Sequence, residues 1–178
     1  RSLVTRNAVT FALLTWVRSK ELRFARLCEF EGLGTANALW RIPGERMKAK
    51  ETHVAPLSAP ALALLRRRWN ERANDTGLVF SADGEKPMSD MTMTKLLRDG
   101  GIKGVTVHGF RSAFTDWVAE KTDFPKEVAD KALAHKLTNQ VEAAYRRTDF
   151  LEKRRDLMAR WALHLDGIAH LYKKTCLL

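Results

Sequence analysis

Two short strand-like runs, Ala38 to Ile42 and Thr52 to Leu57, restrict the fold more than any other feature of the chain. The polar turn Gly44 to Lys50 separates them, so they read as an antiparallel hairpin within a small sheet. Helical spacing dominates elsewhere. Leu3 to Leu14 and Ser19 to Leu27 read as helices, the second capped by Ser19, with Leu22, Ala25 and Leu27 on or near an inner face. Glu31 to Thr35 reads as a glycine-bearing turn. Ser58 and Pro60 open a helix with its body over Ala61 to Arg72. Ala73 to Lys86 is a loop with an apolar patch at Leu78 to Phe80. Further helices run from Ser89 to near Gly100, from a Thr106 cap to Lys121, from Pro125 to Ala134, from Thr138 through Tyr145, and from an Asp149/Glu152 capping box to about Leu165. One small antiparallel sheet among many helices makes an α+β chain that is mainly α-helical.

Length and charge narrow the class. The 178 residues suffice for one domain with a real core, and no repeat, low-complexity tract or linker divides them. No apolar run approaches the ~20 residues that span a bilayer, and no signal-peptide pattern opens the chain, so a cytosolic protein is expected. The two cysteines, Cys28 and Cys176, form no metal-ligand motif. Cys28 is expected to be a buried thiol and Cys176 a loose one in the tail. The formal charge is +10, from 31 lysines and arginines against 21 acidic residues. Such an excess favours a polyanionic partner, nucleic acid first.

The polar residues that could work on a phosphate are scattered. His108-Gly-Phe-Arg111 puts an imidazole and a guanidinium three positions apart, on one helix face. A planar guanidinium can hold two phosphate oxygens. Leu133-Ala-His135 ends a helix, and a short polar turn could fold the next helix back to bring Tyr145 near it. Arg18 stands at the mouth of a helix with Glu21 three residues on. Lys48 lies in the hairpin turn, from which a lysine can reach a neighbouring site, followed by His53-Val-Ala-Pro56-Leu57. Taken singly, each has a plainer reading: a capping or surface pair for His108 and Arg111, a surface pair for Arg18 and Glu21, a solvated turn for Lys48, a helix-end histidine for His135, and a half-buried core tyrosine for Tyr145.

The ordered set Arg18, Lys48, His108-x-x-Arg111, His135, Tyr145 resembles the catalytic signature of the tyrosine recombinases. Ala-Ala-Tyr145-Arg-Arg and Glu152-Lys-Arg-Arg155 followed by Trp161 are similar to the integrase branch carried by genomic islands and satellite phages. The resemblance covers about residues 5–165, leaving 166–178 as a tail that matches no family pattern. Trp16 stands where this family often has a glycine, a departure that bears on the turn presenting Arg18.

The resemblance implies a helical catalytic domain with a three-stranded antiparallel sheet. It implies metal-independent cleavage and rejoining of DNA through a 3′-phosphotyrosyl bond, for integration and excision of a mobile element. Tyr145 would be the nucleophile, and Arg18 and Arg111 the clamp on the non-bridging oxygens. Lys48 would protonate the leaving 5′-hydroxyl. His108 and His135 would donate to the phosphate or assist proton transfer, with Glu21 supporting Arg18. No metal or other cofactor is expected. The expected partners are a double-stranded attachment site, further protomers forming a tetramer on DNA in the full-length form, and host DNA-bending proteins, in the bacterial cytoplasm at the nucleoid. The family's N-terminal arm-binding and core-binding domains are expected to be missing from this chain. Basic helix faces offer further DNA contacts: Arg66, Arg67, Arg68 and Arg72; Lys95 and Arg98; Arg146, Arg147, Lys153, Arg154 and Arg155. A DNA-binding fragment without catalysis, a type IB topoisomerase and an RNA-binding helical protein remain as other readings.

Overall fold

A computed structural model of the chain describes residues 2–70, 77–135 and 149–175, with side chains as far as residue 170. The expected helix over Thr138 to Tyr145 lies outside the described residues, as do Arg72, Arg146, Arg147 and Cys176. In chain order the elements are α1 (Leu3–Thr15), α2 (Ser19–Arg23), β1 (Phe30–Glu31), β2 (Leu39–Ile42), β3 (His53–Pro56), α3 (Ala59–Asn70), α4 (Met91–Asp99), α5 (Gly109–Lys121), α6 (Lys126–Ala132) and α7 (Leu151–Thr175). The three strands form an antiparallel sheet in the order β1-β2-β3. Trp40 lies opposite both Phe30 and Ala55, and Ile42 opposite His53.

Helix α1 carries two apolar faces and separates two cores. Phe11 packs among Phe30, Trp40 and Phe80, with ring centroids 5.3–6.3 Å away. Ala8, Ala12, Leu62, Leu65, Met93 and Leu97 complete this larger core. Just beyond α1, Trp16 stacks on Phe114 at 3.5 Å and meets Trp161 edge-on at 6.2 Å. Val118, Val128, Leu133, Leu157 and Met158 close the second core. Each fully buried large apolar side chain contributes roughly 1.5–3 kcal/mol. Removing either aromatic group would therefore open the fold around α1.

The structure departs from the sequence reading in four places. The helix expected over Ser19 to Leu27 stops at Arg23. Residues 25–27 instead pair with the apolar patch downstream: Val79 N–H donates to the Ala25 carbonyl at 2.9 Å, and Leu27 N–H to Gly77 at 3.2 Å. Cys28, expected buried, is exposed. It sits in a 3-10 turn (Leu27–Glu29) that turns Leu27 inward instead. Helix α7 continues to Thr175, ten residues past Leu165, with exposed pairs such as Asp166–His170 along its outer part. At the start of α7, the Asp149 carboxylate is taken up by Arg154. Among the described residues, no helix is long and apolar enough to cross a membrane.

Candidate active site

The chain reverses after α1 through Trp16, whose φ of 53° lies in the left-handed region. A bulky residue there costs on the order of 1–2 kcal/mol. Burial of the indole between Phe114 and Trp161 offsets that cost. The turn a glycine would make most easily is thus kept, and it delivers Arg18 as the residue that caps α2.

Glu21 holds Arg18 at two points. Its carboxylate accepts the Arg18 backbone N–H at 2.8 Å and the guanidinium Nη1 at 3.0 Å. Glu21 is buried, whereas the Arg18 side chain keeps 30% of its surface. The carboxylate therefore fixes one edge of the guanidinium and leaves the rest facing solvent.

Arg111 reaches the same place from α5. Its Nη1 donates to the Trp16 carbonyl and its Nη2 to the Leu133 carbonyl at 2.6 Å. One guanidinium thereby ties the turn before Arg18 to the end of α6. Burial, and then repulsion from Arg18, push the Arg111 pKa down to about 10, with Glu21 opposing. With that pKa, Arg111 stays protonated at neutral pH. Two like charges gathered by the fold beside a single carboxylate suit an anion.

His53 belongs to this group, although its sequence context marks it only as a strand residue. It opens β3 and hydrogen-bonds the Ala132 backbone carbonyl. Burial first, then the charges of Arg154, Arg111 and Arg18, lower its pKa to about 4. With that pKa, His53 is neutral at physiological pH and adds no further charge to those of the three arginines. A titratable residue in an otherwise apolar buried strand is the one signal in the sequence that points to it.

The remaining expected residues are placed less tightly. His108 is exposed at the N-terminal end of α5, where Thr106 Oγ1 accepts the Gly109 N–H at 3.0 Å. His135 follows a Schellman-type helix end. Ala134, with φ 50°, donates to Lys131 at 3.2 Å, and His135 N–H donates to Asp130 at 2.9 Å. The His135 ring lies 3.2 Å from the Asp130 carboxylate and is exposed. Because the Leu133 carbonyl receives Arg111, His135 stands two residues from the arginine pair.

Lys48 is exposed in the β2–β3 turn. The base of its hairpin is anchored nonetheless. Arg46 donates to the Phe24 carbonyl and, at 2.5 Å, to Glu29. Gly44 lets the turn close, since a Cβ there would stand 2.7 Å from the Lys50 carbonyl oxygen. Tyr145 lies outside the described residues. Among the described residues, no group of three His, Cys, Asp or Glu is placed to hold a metal ion.

The basic-face expectations need correction at two positions. Arg68 is buried, donating to the Val79 and Ser81 carbonyls, and Arg154 is fully buried. Neither presents its guanidinium to a phosphate at the surface. Arg66, Lys95 and Arg98 are exposed, though Arg66 also donates to the Leu33 carbonyl at 2.5 Å. Arg67 is exposed and bonds Asn7 at 2.8 Å. Arg155 is partly covered beside Glu152, and Lys153 is exposed.

Residues 1–152 match the model of the Phage integrase family. The integrase of Enterobacteria phage P4 is 37% identical over 182 aligned positions, covering 92% of this chain and 40% of that protein. Prophage integrase IntA of Escherichia coli K12 is 36% identical, covering 90% of this chain and 38% of that protein. The chain belongs to the phage integrase family. It spans about two-fifths of the length of these relatives. Among solved structures, the XerH site-specific recombinase bound to difH substrate, in its pre-cleavage complex, matches with a TM-score of 0.57 at 19% identity, over 82% of this chain and 46% of that one. The post-cleavage complex with palindromic difH matches with a TM-score of 0.58 at 17% identity, over 97% and 48%. The fold is that of the tyrosine recombinases.

Proposed function

We propose that this chain is the catalytic domain of a site-specific integrase that cleaves and rejoins double-stranded DNA at an attachment site. The convergence of Arg18 and Arg111 on one place, with Glu21 restraining one and two backbone carbonyls the other, carries this reading. Two fixed guanidiniums suit the non-bridging oxygens of a phosphodiester and the added charge of its transition state. Tyr145 Oη attacks the phosphorus, forming a 3′-phosphotyrosyl bond as the bond from phosphorus to the 5′-oxygen breaks. Lys48 delivers its proton to that leaving oxygen as general acid. His108 and His135 assist at the phosphate and at the tyrosine proton, because a phenol with a free pKa near ~10 needs help to ionise. The phosphotyrosyl bond retains the energy for rejoining, so none of these steps draws on a cofactor. Arg66, Arg67, Lys95 and Arg98 are the exposed candidates for backbone contact, and Arg72, Arg146 and Arg147 join them by sequence.

On this reading the whole protein works as a tetramer on DNA, with host DNA-bending proteins, at the bacterial nucleoid. The test is covalent capture. The protein is incubated with a pool of nicked duplexes carrying a randomised core, and DNA that becomes protein-linked is sequenced. Adducts that vanish in Tyr145→Phe are expected. An adduct that survives Tyr145→Phe overturns the nucleophile. DNA binding with no adduct from the unaltered protein overturns catalysis in favour of a binding module. Relaxation of supercoiled plasmid without strand exchange would make it a topoisomerase.

A further inference from the structure

Arg154 plays no part in the chemistry above, yet it is among the most completely enclosed polar side chains described, with 0% of its surface exposed. It lies in the first turn of α7. Its Nε donates to the Asp149 carbonyl at 2.9 Å and its Nη2 to the Asp149 carboxylate at 2.5 Å. Its Nη1 crosses to β3 and donates to the Val54 carbonyl at 2.5 Å. The guanidinium thus joins the start of α7 to the strand that opens with His53, and its charge bears on His53 together with those of Arg18 and Arg111.

Both flanks of the stretch that contains Tyr145 meet on this strand. On the upstream side, the Ala132 carbonyl bonds His53 and the next carbonyl, of Leu133, bonds Arg111. On the downstream side, Asp149 is bound to Arg154, and Arg154 to Val54. The adjacent residues His53 and Val54 therefore hold the two ends of one connection, beside the arginine pair.

Stability alone is a weak reason for such an arrangement. Burial depresses the Arg154 guanidinium against the opposing help of Asp149. Well-packed apolar residues in place of a whole buried ion pair commonly do as well or better. A guanidinium is suited instead to geometry, because its planar fork fixes directions to several acceptors at once.

We infer that Arg154 is a positioning residue, which registers the chain following Tyr145 against β3 through the Val54 carbonyl and so sets where the nucleophile stands relative to Arg18 and Arg111. The inference rests on Tyr145 being the nucleophile. It acts through placement, without Arg154 touching the DNA. A misplacement of about 1 Å costs on the order of a hundredfold in rate.

The test uses the intact protein and a nicked duplex recovered by the capture experiment. Arg154→Met should lower the first-order rate of adduct formation at saturating duplex by roughly 10- to 100-fold. The apparent Kd for the duplex should hold, and rates are compared per folded, DNA-bound protein. Arg154→Lys should stay slow, because one ammonium cannot span Asp149 and Val54. A wild-type rate in Arg154→Met overturns the inference, as does a loss of rate no larger than the loss of folded or DNA-bound protein. Should Arg154→Met fail to fold, Asp149→Ala gives the second measurement, since that side chain is 57% exposed. It should slow adduct formation several-fold at unchanged melting temperature, and a wild-type rate there overturns the inference equally. Tyr145→Phe, run in parallel, separates the two claims. An adduct in Tyr145→Phe removes the nucleophile reading. Its absence, together with an unimpaired Arg154→Met, removes only the role of Arg154.

Discussion

Arg111 and Lys48 serve the same proposed phosphate from opposite extremes of restraint. Arg111 is buried, and two backbone carbonyls from distant parts of the chain hold its guanidinium. Lys48 stands exposed on a hairpin turn that Arg46 and the buried Met47 anchor beside it. The difference follows the work each has to do. Groups that stabilise developing charge are effective when already oriented, so that no reorganisation accompanies the reaction. A proton donor must reach a leaving oxygen whose place is defined only once DNA is bound. Fixed and reaching groups therefore occupy different kinds of structure.

The largest effect should come from the fixed side. Arg111→Lys keeps the charge but cannot bond both the Trp16 and Leu133 carbonyls, so cleavage should fall about a thousandfold. Stability should fall by about 3 kcal/mol, by thermal or denaturant unfolding. A lysine variant with normal melting would mean that the two carbonyls are not what holds this site together. On the reaching side, Lys48→Met should slow adduct formation by about a hundredfold. Its unfolding midpoint should stay unchanged, and any large loss of stability would break the contrast.

The third effect is a pH dependence of the fixed side. His53 has a pKa near 4 in the fold, below its ordinary value of 6.5. The unfolded chain therefore binds the extra proton first as pH falls. The stability that neutral His53 contributes is complete above pH 6.5 and is lost progressively down to pH 4. The slope should be no steeper than roughly 1.4 kcal/mol per pH unit. Denaturant midpoints between those limits measure it, and His53→Gln should flatten the profile. The smallest effect concerns the turn before His135. Ala134→Gly removes the left-handed strain and should stabilise by roughly 0.5–1 kcal/mol. Cleavage should be near normal, and a destabilised variant would show that the turn is not strained.

Much of the site could be read from residue order. Arg18 with Glu21 belongs to a helix start, His108-x-x-Arg111 to a helix N-terminus, and His135 to a helix end, and local rules of capping and spacing suffice for those. The hairpin of β2 and β3 was legible for the same reason. Burial of polar side chains was not. Arg68 and Arg154 sit in strings of arginines that look like solvated faces, and only the packing of α3 and α7 turns those two inward. The early end of α2 was also hidden, since its cause is pairing with Gly77 and Val79, far along the chain.

The sequence by itself determined the helical periods, the hairpin, the basic charge, and the ordered arginines, histidines and tyrosine that resemble the family's signature, because all of these rest on local spacing and residue chemistry. Tertiary structure decided which of those charges are withdrawn from solvent and which meet. Trp16 holds a left-handed turn only because Phe114 and Trp161 enclose its indole. Arg111 approaches Arg18 only because the carbonyls that receive it come from residues 16 and 133. Burial and long-range hydrogen bonds depend on elements distant in the chain, and local pattern carries no record of them.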